Sequence, residues 1–228
     1  MDKSYEQEYF KLEKEYWWFK ARRHLIKKIK IKPNQKILEV GCGTGLNLNL
    51  FPKNQRHGID ISKEAIKQIK DFPAEVADIQ KVKLKKYDII LALDLIEHLD
   101  KDKQTLQKLT NALNPKGKLI ITVPAFKCLW SKHDEVNHHK RRYNRKQFKT
   151  ILPKQLKTNI LTYWNFSLFP IVFILNKLNK KKSNLKPINP VLNFIFYNKL
   201  KLENWLITQG INFPFGTSIF YIGEKTDK

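Results

Sequence analysis

Short apolar runs bounded by glycine mark two positions in the first third of the chain. Residues 37–40 read Ile-Leu-Glu-Val and lead directly into three glycines, and residues 58–61 read Gly-Ile-Asp-Ile. Runs of this kind predict buried strands of a parallel sheet. A helix is predicted after the second run, because residues 65–69 are amphipathic and the Ser62 hydroxyl can accept a hydrogen bond from an early helical amide.

The glycines after the first run form the loop Gly-Cys-Gly-Thr-Gly at residues 41–45. Glycine lets the backbone turn sharply there and approach a ligand closely. Asp60 follows about twenty residues later, where an acidic residue can accept both hydroxyls of a ribose. A dinucleotide fingerprint would need its third glycine at Leu46. The pattern G-x-G-x-G, preceded by Glu39, instead favours S-adenosylmethionine, whose amino group is cationic.

Several ordered blocks resemble the class I S-adenosylmethionine-dependent methyltransferases. Beside the glycine loop they are residues 77–79, residues 87–99 and residues 117–124. The resemblance implies an α/β fold with a doubly wound, mostly parallel seven-stranded sheet and an antiparallel last strand at its edge. It also places Asp78 at the adenine amino group. The implied cofactor-binding residues are Glu39, Gly41, Cys42, Gly43, Gly45, Asp60, Ile61, Asp78, Ile79 and Leu93.

An aromatic and arginine cluster lies near the N-terminus, where residues 16–23 read Tyr-Trp-Trp-Phe-Lys-Ala-Arg-Arg. A single aromatic side chain here could simply dock a helix on the sheet. The whole cluster resembles the N-terminal block of a bacterial subgroup of these methyltransferases. Because arginine can hold a carboxylate in a forked pair, Arg22 or Arg23 is the candidate for the cofactor carboxylate. Trp18 is a candidate for part of a lid over the sulfonium.

The segment after the predicted fifth strand, residues 123–143, contains three of the six histidines. Ligands bind beyond the carboxyl ends of strands in an open parallel sheet, so this segment is expected to lie over the methyl donor. It resembles the same bacterial subgroup through Leu-Trp-Ser-x-His-Asp and His-x-Arg-Arg-Tyr. The candidate substrate-contacting residues are Trp18, Trp130, Asp134, Arg142 and Tyr143.

A catalytic base is required for some acceptors, and a histidine oriented by a carboxylate is the usual device. The candidates, in order, are His133, His139 and His98. His133 and Asp134 are neighbours in sequence and should point apart, so each is expected to pair with His139 or Arg142 instead. The alternative is that His133 and Asp134 only anchor the loop through buried hydrogen bonds. A metal site at the three histidines is disfavoured, because it would require a supporting carboxylate geometry that spacing alone cannot show.

Composition adds a strong charge. The chain of 228 residues has 44 Lys and Arg against 21 Asp and Glu, which gives a net charge of +23. This charge favours anionic partners, whether nucleic acid, anionic lipid or an acidic substrate, although a nucleotide-biased genome would also produce it. Two cysteines, Cys42 and Cys128, offer neither metal spacing nor a disulfide framework, as expected in a reducing compartment. Cys42 is expected to fill the loop as a small residue.

The length predicts one domain, with an N-terminal helical cap (1–34), a cofactor-binding core (35–150) and a C-terminal part (151–228) that carries substrate contacts and the edge strand. The polar start, residues 1–6, lacks the apolar core of a secretory signal. We therefore expect a cytoplasmic protein.

An apolar stretch at residues 159–176 is interrupted by Asn165 and Pro170 and is not expected to span a membrane. The resemblance implies a strand near its start and a helical insertion after the proline. Lys180, Lys181 and Lys182 separate this stretch from a second apolar patch at residues 188–197. The two patches could pack in the core, or they could lie on the inner face of an anionic membrane with the lysines at the headgroups.

These features predict S-adenosylmethionine-dependent methyl transfer to a small or lipid-linked acceptor, with oxygen the favoured atom. Two alternatives remain. The charge suits an RNA methyltransferase or a nucleic-acid-binding protein, although the chain lacks an Asn-Pro-Pro-Tyr tetrapeptide and a Pro-Cys pair. The apolar patches suit a non-catalytic membrane-surface protein that retains the fold. The sequence does not indicate an oligomeric state.

Overall fold

The computed structural model describes residue 10, residues 12–178 and residues 188–227. Within them, seven strands form one sheet in the order β3-β2-β1-β4-β5-β7-β6. The strands are β1 (Ile37–Val40), β2 (Arg56–Asp60), β3 (Ala74–Val76), β4 (Tyr87–Leu93), β5 (Leu113–Pro124), β6 (Leu156–Trp164) and β7 (Ser218–Lys225). Neighbouring strands among β1 to β5 are parallel, and β7 is antiparallel to both β5 and β6.

Helices flank the sheet. They are α1 (Trp17–Lys27), α2 (Lys63–Ile66), α3 (Asp102–Ala112), α4 (Lys132–Val136), α5 (Arg145–Ile151), α6 (Phe169–Leu178) and α7 (Pro190–Thr208). Single 3-10 turns lie at Leu48–Leu50, Lys53–Gln55, Ile96–His98 and Lys127–Leu129. The predicted cap of α2 is confirmed, because the Ser62 hydroxyl accepts a hydrogen bond of 3.1 Å from the Ala65 amide.

The predicted α/β fold, with its parallel strands and antiparallel last strand, is confirmed. The predicted edge position of that last strand is wrong, because β7 lies between β5 and β6 and β6 forms the edge. The physical reason is burial: the first six positions of β7 are all buried. A strand with both faces covered is stable inside a sheet rather than at its margin.

The N-terminal helix α1 packs against the C-terminal helix α7, and polar side chains fix the contact. Asn204 of α7 donates to the Ala21 carbonyl of α1 (2.8 Å) and accepts a hydrogen bond from the indole of Trp164 (2.8 Å). Asn193 accepts from the Trp17 amide at 2.7 Å. Because these groups are buried or partly buried, each bond satisfies a polar atom that would otherwise be costly. The contact holds the N-terminal cap at the end of β6.

Some predicted features fall outside the described residues. These are the polar start at residues 1–6 and the three lysines Lys180, Lys181 and Lys182. In the described ranges, no helix is both long enough and apolar enough to traverse a bilayer.

Candidate active site

A cavity of about 1130 Å³ lies at the carboxyl ends of the parallel strands. Gly41 after β1, Asp60 at the end of β2, Asp94 after β4 and Pro124 at the end of β5 all line it. Parallel strands bring their carboxyl ends to one margin of the sheet, which is where open α/β folds bind ligands. The cavity is therefore the candidate active site.

The glycine loop gives the cavity its first wall. Gly41 and Gly43 have φ values of 71° and 51°, a left-handed conformation that glycine adopts without a Cβ penalty. A Cβ at Gly41 would lie 3.1 Å from Leu95 Cδ1, whereas one at Gly43 would meet only open space and Glu13 Oε2 at 4.0 Å. The backbone at Gly43 is thus open to a ligand.

Asp60 is held in place by the loop. Its Oδ2 accepts a hydrogen bond of 2.8 Å from the Gly43 amide, and its Oδ1 accepts one of 2.7 Å from the Ser62 amide. Each carboxylate oxygen has a second lone pair. The side chain is therefore oriented at the cavity in a way that suits two ribose hydroxyls.

The adenine side of the predicted site is apolar with one carboxylate. Ile61 and Ile79 line the cavity together with Asp78. Ile61 is 75% exposed, which is unusual for a large aliphatic side chain at a cavity wall, while Ile79 is buried. Asp78 Oδ1 accepts a hydrogen bond of 2.8 Å from the Gln80 amide, which fixes the carboxylate. A flat aromatic ring between the two isoleucines would cover Ile61.

Glu39 lies behind the loop and does not line the cavity. Its Oε1 accepts a hydrogen bond of 2.7 Å from Asn47, and its Oε2 is buried with no hydrogen-bond partner from another described residue. Burial raises the pKa of Glu39 to about 8, and the bond from Asn47 opposes that rise only in part. The unsatisfied oxygen fits a nearby cationic donor such as the amino group of S-adenosylmethionine.

Of the two candidate arginines, only Arg22 reaches the cavity. Its guanidinium pairs with the carboxylate of Asp94 and lies 4.9 Å from the ring centroid of Trp18. Arg23 instead donates to the backbone carbonyls of Glu13 (2.8 Å) and Lys14 (2.7 Å), away from the cavity. Arg23 is therefore not placed to hold the cofactor carboxylate.

Sequence reasoning missed Glu13 and Asp94. Glu13 is buried, lines the cavity and accepts a hydrogen bond of 2.9 Å from the Thr44 hydroxyl in the glycine loop. Burial raises the pKa of Glu13, although Arg22 opposes the rise. No local pattern in the sequence indicated it, because the extended backbone at Tyr16 separates Glu13 from the helix that begins at Trp17. Asp94 follows a strand with a φ of 51°, an uncommon conformation for a residue other than glycine.

Asp134 organises the histidine segment. Its Oδ1 accepts from His139 Nδ1 at 2.8 Å and from Arg142 Nε at 2.7 Å, and its Oδ2 accepts from Arg142 Nη2 at 3.0 Å. Burial alone would raise the pKa of Asp134, but these hydrogen bonds hold it well below its usual range. The expectation that Asp134 pairs with His139 or Arg142 is confirmed, and it pairs with both.

Three histidines lie side by side. The ring centroids of His98 and His139 are 4.6 Å apart, and those of His133 and His139 are 6.0 Å apart. All three residues line the cavity. Burial, followed by the neighbouring His139, lowers the pKa of His98 and of His133 to about 4. Of the three, His139 has the orienting carboxylate that a catalytic base needs, whereas the sequence ranked His133 first.

The site residues predicted from the sequence fall into two groups in the structure. Those that line the cavity are Trp18, Arg22, Gly41, Cys42, Gly43, Asp60, Ile61, Asp78, Ile79, Leu93, His98, His133, His139 and Arg142. Those that do not are Arg23, Glu39, Gly45, Trp130, Asp134 and Tyr143. Burial also raises the pKa of the Cys42 thiol, which disfavours the thiolate form that a nucleophile needs and fits the expectation of a small residue that fills the loop.

Packing explains two of the residues outside the cavity, Gly45 and Tyr143. A Cβ on Gly45 would lie 2.6 Å from Phe72 Cζ, so this glycine serves close packing of the loop. The Tyr143 hydroxyl donates to Asp102 at 2.9 Å, and its ring packs on Phe148. Trp130 lies on the surface and does not line the cavity.

Comparison with known proteins identifies the class. A family model described as a methyltransferase domain matches residues 13–164, more than half of the chain. The chain therefore belongs to this family of methyltransferase domains. The predictions of a methyltransferase and of S-adenosylmethionine as its cofactor are confirmed. The finer bacterial subgroup, inferred from the aromatic and histidine blocks, stays a prediction.

Two relatives and two solved structures give the range of similarity. Malonyl-[acyl-carrier protein] O-methyltransferase of Anoxybacillus flavithermus is 33% identical over 114 residues, which are 45% of this chain and 44% of that protein. The enzyme of the same name from Halalkalibacterium halodurans is 30% identical over 114 residues, 43% of this chain and 42% of that protein. The chain thus spans less than half the length of these curated relatives.

The solved structures support the fold. A putative methyltransferase of Haloferax volcanii, in complex with the Trm112 methyltransferase activator, has a TM-score of 0.66 at 12% identity and covers 99% of this chain and 96% of that one. The plantazolicin methyltransferase BpumL in complex with SAH has a TM-score of 0.59 at 16% identity and covers 96% of this chain and 88% of that one.

Proposed function

We propose that this protein methylates an oxygen atom of a small or lipid-linked acceptor. The observation that carries the proposal is that one cavity joins the glycine loop to the histidine cluster and to helix α6. A cofactor site, a proton-accepting group and an apolar wall are then present in one cavity. Relatives named malonyl-[acyl-carrier protein] O-methyltransferase support oxygen as the atom that accepts the methyl group.

The cavity supplies candidate partners for the ribose, the adenine and the carboxylate of S-adenosylmethionine, and Glu39 behind the glycine loop is the candidate partner for its amino group. Asp60 is assigned to the ribose hydroxyls, Asp78 to the adenine amino group and Arg22 to the carboxylate, while Glu39 balances the amino group from behind the loop. Bound there, the cofactor supplies an electrophilic methyl group on a sulfonium. The chain's own task is to align the acceptor and exclude water, and such positioning can be worth roughly 7–11 kcal/mol of barrier.

The acceptor half is assigned to the histidine cluster. Asp134 holds His139 through Nδ1, so its Nε2 is the nitrogen available to the cavity side of the cluster. For a hydroxyl acceptor the cluster removes the proton as the oxygen attacks the methyl carbon, a contribution of about 10²–10⁴-fold in rate. Arg142 holds Asp134 from the other side and keeps the carboxylate ionised.

A lipid-linked acceptor is favoured by the apolar surface beside the cavity. Val172 and Leu175 of α6 line the cavity, while Ile171 and Ile174 of the same helix are exposed. Helix α7 adds further exposed apolar side chains, namely Val191, Leu192, Phe194 and Ile195, and Phe194 is 68% exposed. Large exposed apolar patches usually mark binding surfaces, and α6 and α7 each carry several exposed apolar side chains. An acyl or isoprenoid chain could lie here while its polar head enters the cavity.

The RNA alternative is supported only by the net charge of +23. Charge alone does not separate RNA from anionic lipid, since both attract a basic surface. The exposed apolar faces of α6 and α7 are the specific observation that favours lipid. A base-stacking platform would need exposed aromatic rings in series, whereas the exposed side chains of these two helices are mostly aliphatic.

The experiment is transfer of a labelled methyl group from S-adenosylmethionine into a cell extract that has been separated into lipid, small-molecule and RNA fractions. We expect alkali-labile or ether-type label in the lipid or small-molecule fraction with the wild-type protein, and none with Asp60→Ala. Label confined to RNA, or incorporation equal in both proteins, would contradict the proposal.

A matched pair of histidine variants separates chemistry from binding. His139→Gln should bind S-adenosylhomocysteine as the wild type does and lower the transfer rate at least about 10²-fold. His138→Asn changes an exposed neighbour whose φ of 55° asparagine tolerates, so it should transfer at the wild-type rate. Equal rates in both variants would remove the histidine cluster from the mechanism.

A further inference from the structure

A carboxylate and two imidazoles meet beside the acceptor half of the cavity. One ligand atom from each of Glu97, His98 and His139 lies within 4.8 Å of the other two. Glu97 and His98 belong to the 3-10 turn after β4, and His139 comes from the loop after α4. The Lys140 amide donates to the Glu97 carbonyl at 2.9 Å, so the two segments are tied together at this point.

Glu97 is the group that the fold leaves unexplained. Its side chain is fully buried, and neither carboxylate oxygen has a hydrogen-bond partner from another described residue. A buried carboxyl group with no donor costs free energy unless a cation or a donor completes it. The guanidinium of Arg142 is near enough to lower the pKa of Glu97 but makes no hydrogen bond to it, so the two oxygens remain open to a further cation or donor.

Each histidine already has the outer contact that metal ligands have. His139 Nδ1 bonds to the carboxylate of Asp134 at 2.8 Å, and the ring of His98 bonds to the backbone of Asn137. Histidines that bind a metal through one nitrogen usually donate the other N–H to a carboxylate or a backbone carbonyl, which fixes the ring and the tautomer. Arg142 secures Asp134 in turn with two hydrogen bonds.

We propose that Glu97, His98 and His139 bind a divalent first-row transition metal ion such as Zn²⁺ at the acceptor end of the cavity. Two nitrogens and one carboxylate are a common ligand set for Zn²⁺ and for Fe²⁺, with positions left open for substrate. Ligand atoms about 2.1 Å from Zn²⁺ are about 3.4 Å apart in a tetrahedron. Shifts of little more than about 1 Å in the positions of the ligand atoms would therefore bring them to the spacing of a tetrahedral site.

With the ion bound, His139 Nε2 would be a metal ligand, so activation of an acceptor hydroxyl by the ion would replace direct proton removal by the histidine. An open coordination position facing the cavity can hold an anionic oxygen of the acceptor, carboxylate or deprotonated hydroxyl, and lower the pKa of a hydroxyl that binds there. This part of the inference rests on the proposed methyl transfer. Metal binding itself does not, and it is measured without turnover.

The test is calorimetric titration of tag-free protein with Zn²⁺, and with Mg²⁺ as a harder ion that prefers oxygen ligands. All proteins carry Cys128→Ser, because Cys128 is an exposed free thiol that could bind Zn²⁺ by itself. We expect one Zn²⁺ per chain and no response to Mg²⁺. Glu97→Gln and His98→Asn should each weaken Zn²⁺ binding at least about 100-fold.

His138→Asn is the matched control, since it removes an exposed histidine next to the site and should leave Zn²⁺ affinity unchanged. S-adenosylhomocysteine binding by every variant verifies the fold independently of the metal. Absence of a Zn²⁺ site in the wild type, or equal Zn²⁺ affinity in Glu97→Gln, His98→Asn and His138→Asn, would overturn the metal site. Loss of S-adenosylhomocysteine binding in the wild type would instead overturn the proposed function, so the two failures are distinguishable.

Discussion

Replacing Glu39 with glutamine should change how the stability of the protein depends on pH. In the folded protein, burial raises the pKa of Glu39 to about 8, whereas the unfolded chain has the ordinary value of 4.5. Between these values the folded state binds a proton that the unfolded state has released. The contribution of Glu39 to stability is therefore complete below about pH 4.5 and is lost as the pH rises toward 8. Glutamine keeps the shape and cannot ionise.

The magnitude follows from the same two values. A difference of one pKa unit corresponds to about 1.4 kcal/mol. Relative to Glu39→Gln, the unfolding free energy of the ligand-free wild type should thus fall by about 3 kcal/mol between pH 5 and pH 7.5. Burial also raises the pKa of other carboxyl groups, such as Glu203, which therefore add to the pH dependence of stability. They are common to both proteins and cancel in the difference.

The assay is urea unfolding of both proteins at several pH values, followed by circular dichroism. Saturating S-adenosylhomocysteine should reduce the difference, because its amino group near Glu39 stabilises the ionised carboxylate. If the unfolding free energies of the two proteins changed with pH by the same amount, the buried, unsatisfied state of Glu39 would be refuted. A difference that S-adenosylhomocysteine leaves unchanged would refute its assignment to the amino group.

Two further predictions concern the cofactor and the acceptor. Arg22→Lys should weaken S-adenosylhomocysteine binding about tenfold or more, because lysine cannot form the forked pair with a carboxylate. Arg23→Lys should have no effect on calorimetric affinity. The reverse result would assign the cofactor carboxylate to Arg23 instead of Arg22. Phe194→Ser should reduce flotation with vesicles that contain anionic lipid. Val76→Ser, which changes an exposed side chain on β3, should not. Equal flotation of both variants would mean that the apolar face of α7 does not bind lipid.

Much of the fold could be predicted because its signals are local. The run at residues 37–40 and the glycines after it specify a strand and a turn without reference to the rest of the chain, and Ser62 caps a helix through its own neighbours. The pairing of Asp134 was also predictable, since adjacent residues point apart and leave His139 and Arg142 as partners.

The failures arise where a distant segment decides the outcome. Gly45 has the spacing of a cofactor glycine, yet Phe72 occupies the space in front of it. Nothing in the sequence of β7 indicates that β6 will pair with its outer side and form the edge of the sheet. Glu97 is adjacent to His98 in the sequence. Its proximity to His139 depends on a loop about forty residues later, which packs near the end of β4. Such contacts are set by tertiary packing, which spacing does not encode.

The central claim is that the glycine loop and Asp60 form a site for S-adenosylmethionine. Calorimetric titration of the purified protein with S-adenosylhomocysteine tests it most directly, with Asp60→Ala as the paired variant. The account predicts one site of micromolar or tighter affinity in the wild type and loss of binding in Asp60→Ala, with an unchanged circular dichroism spectrum. No binding by the wild type, or equal binding by both proteins, would contradict it.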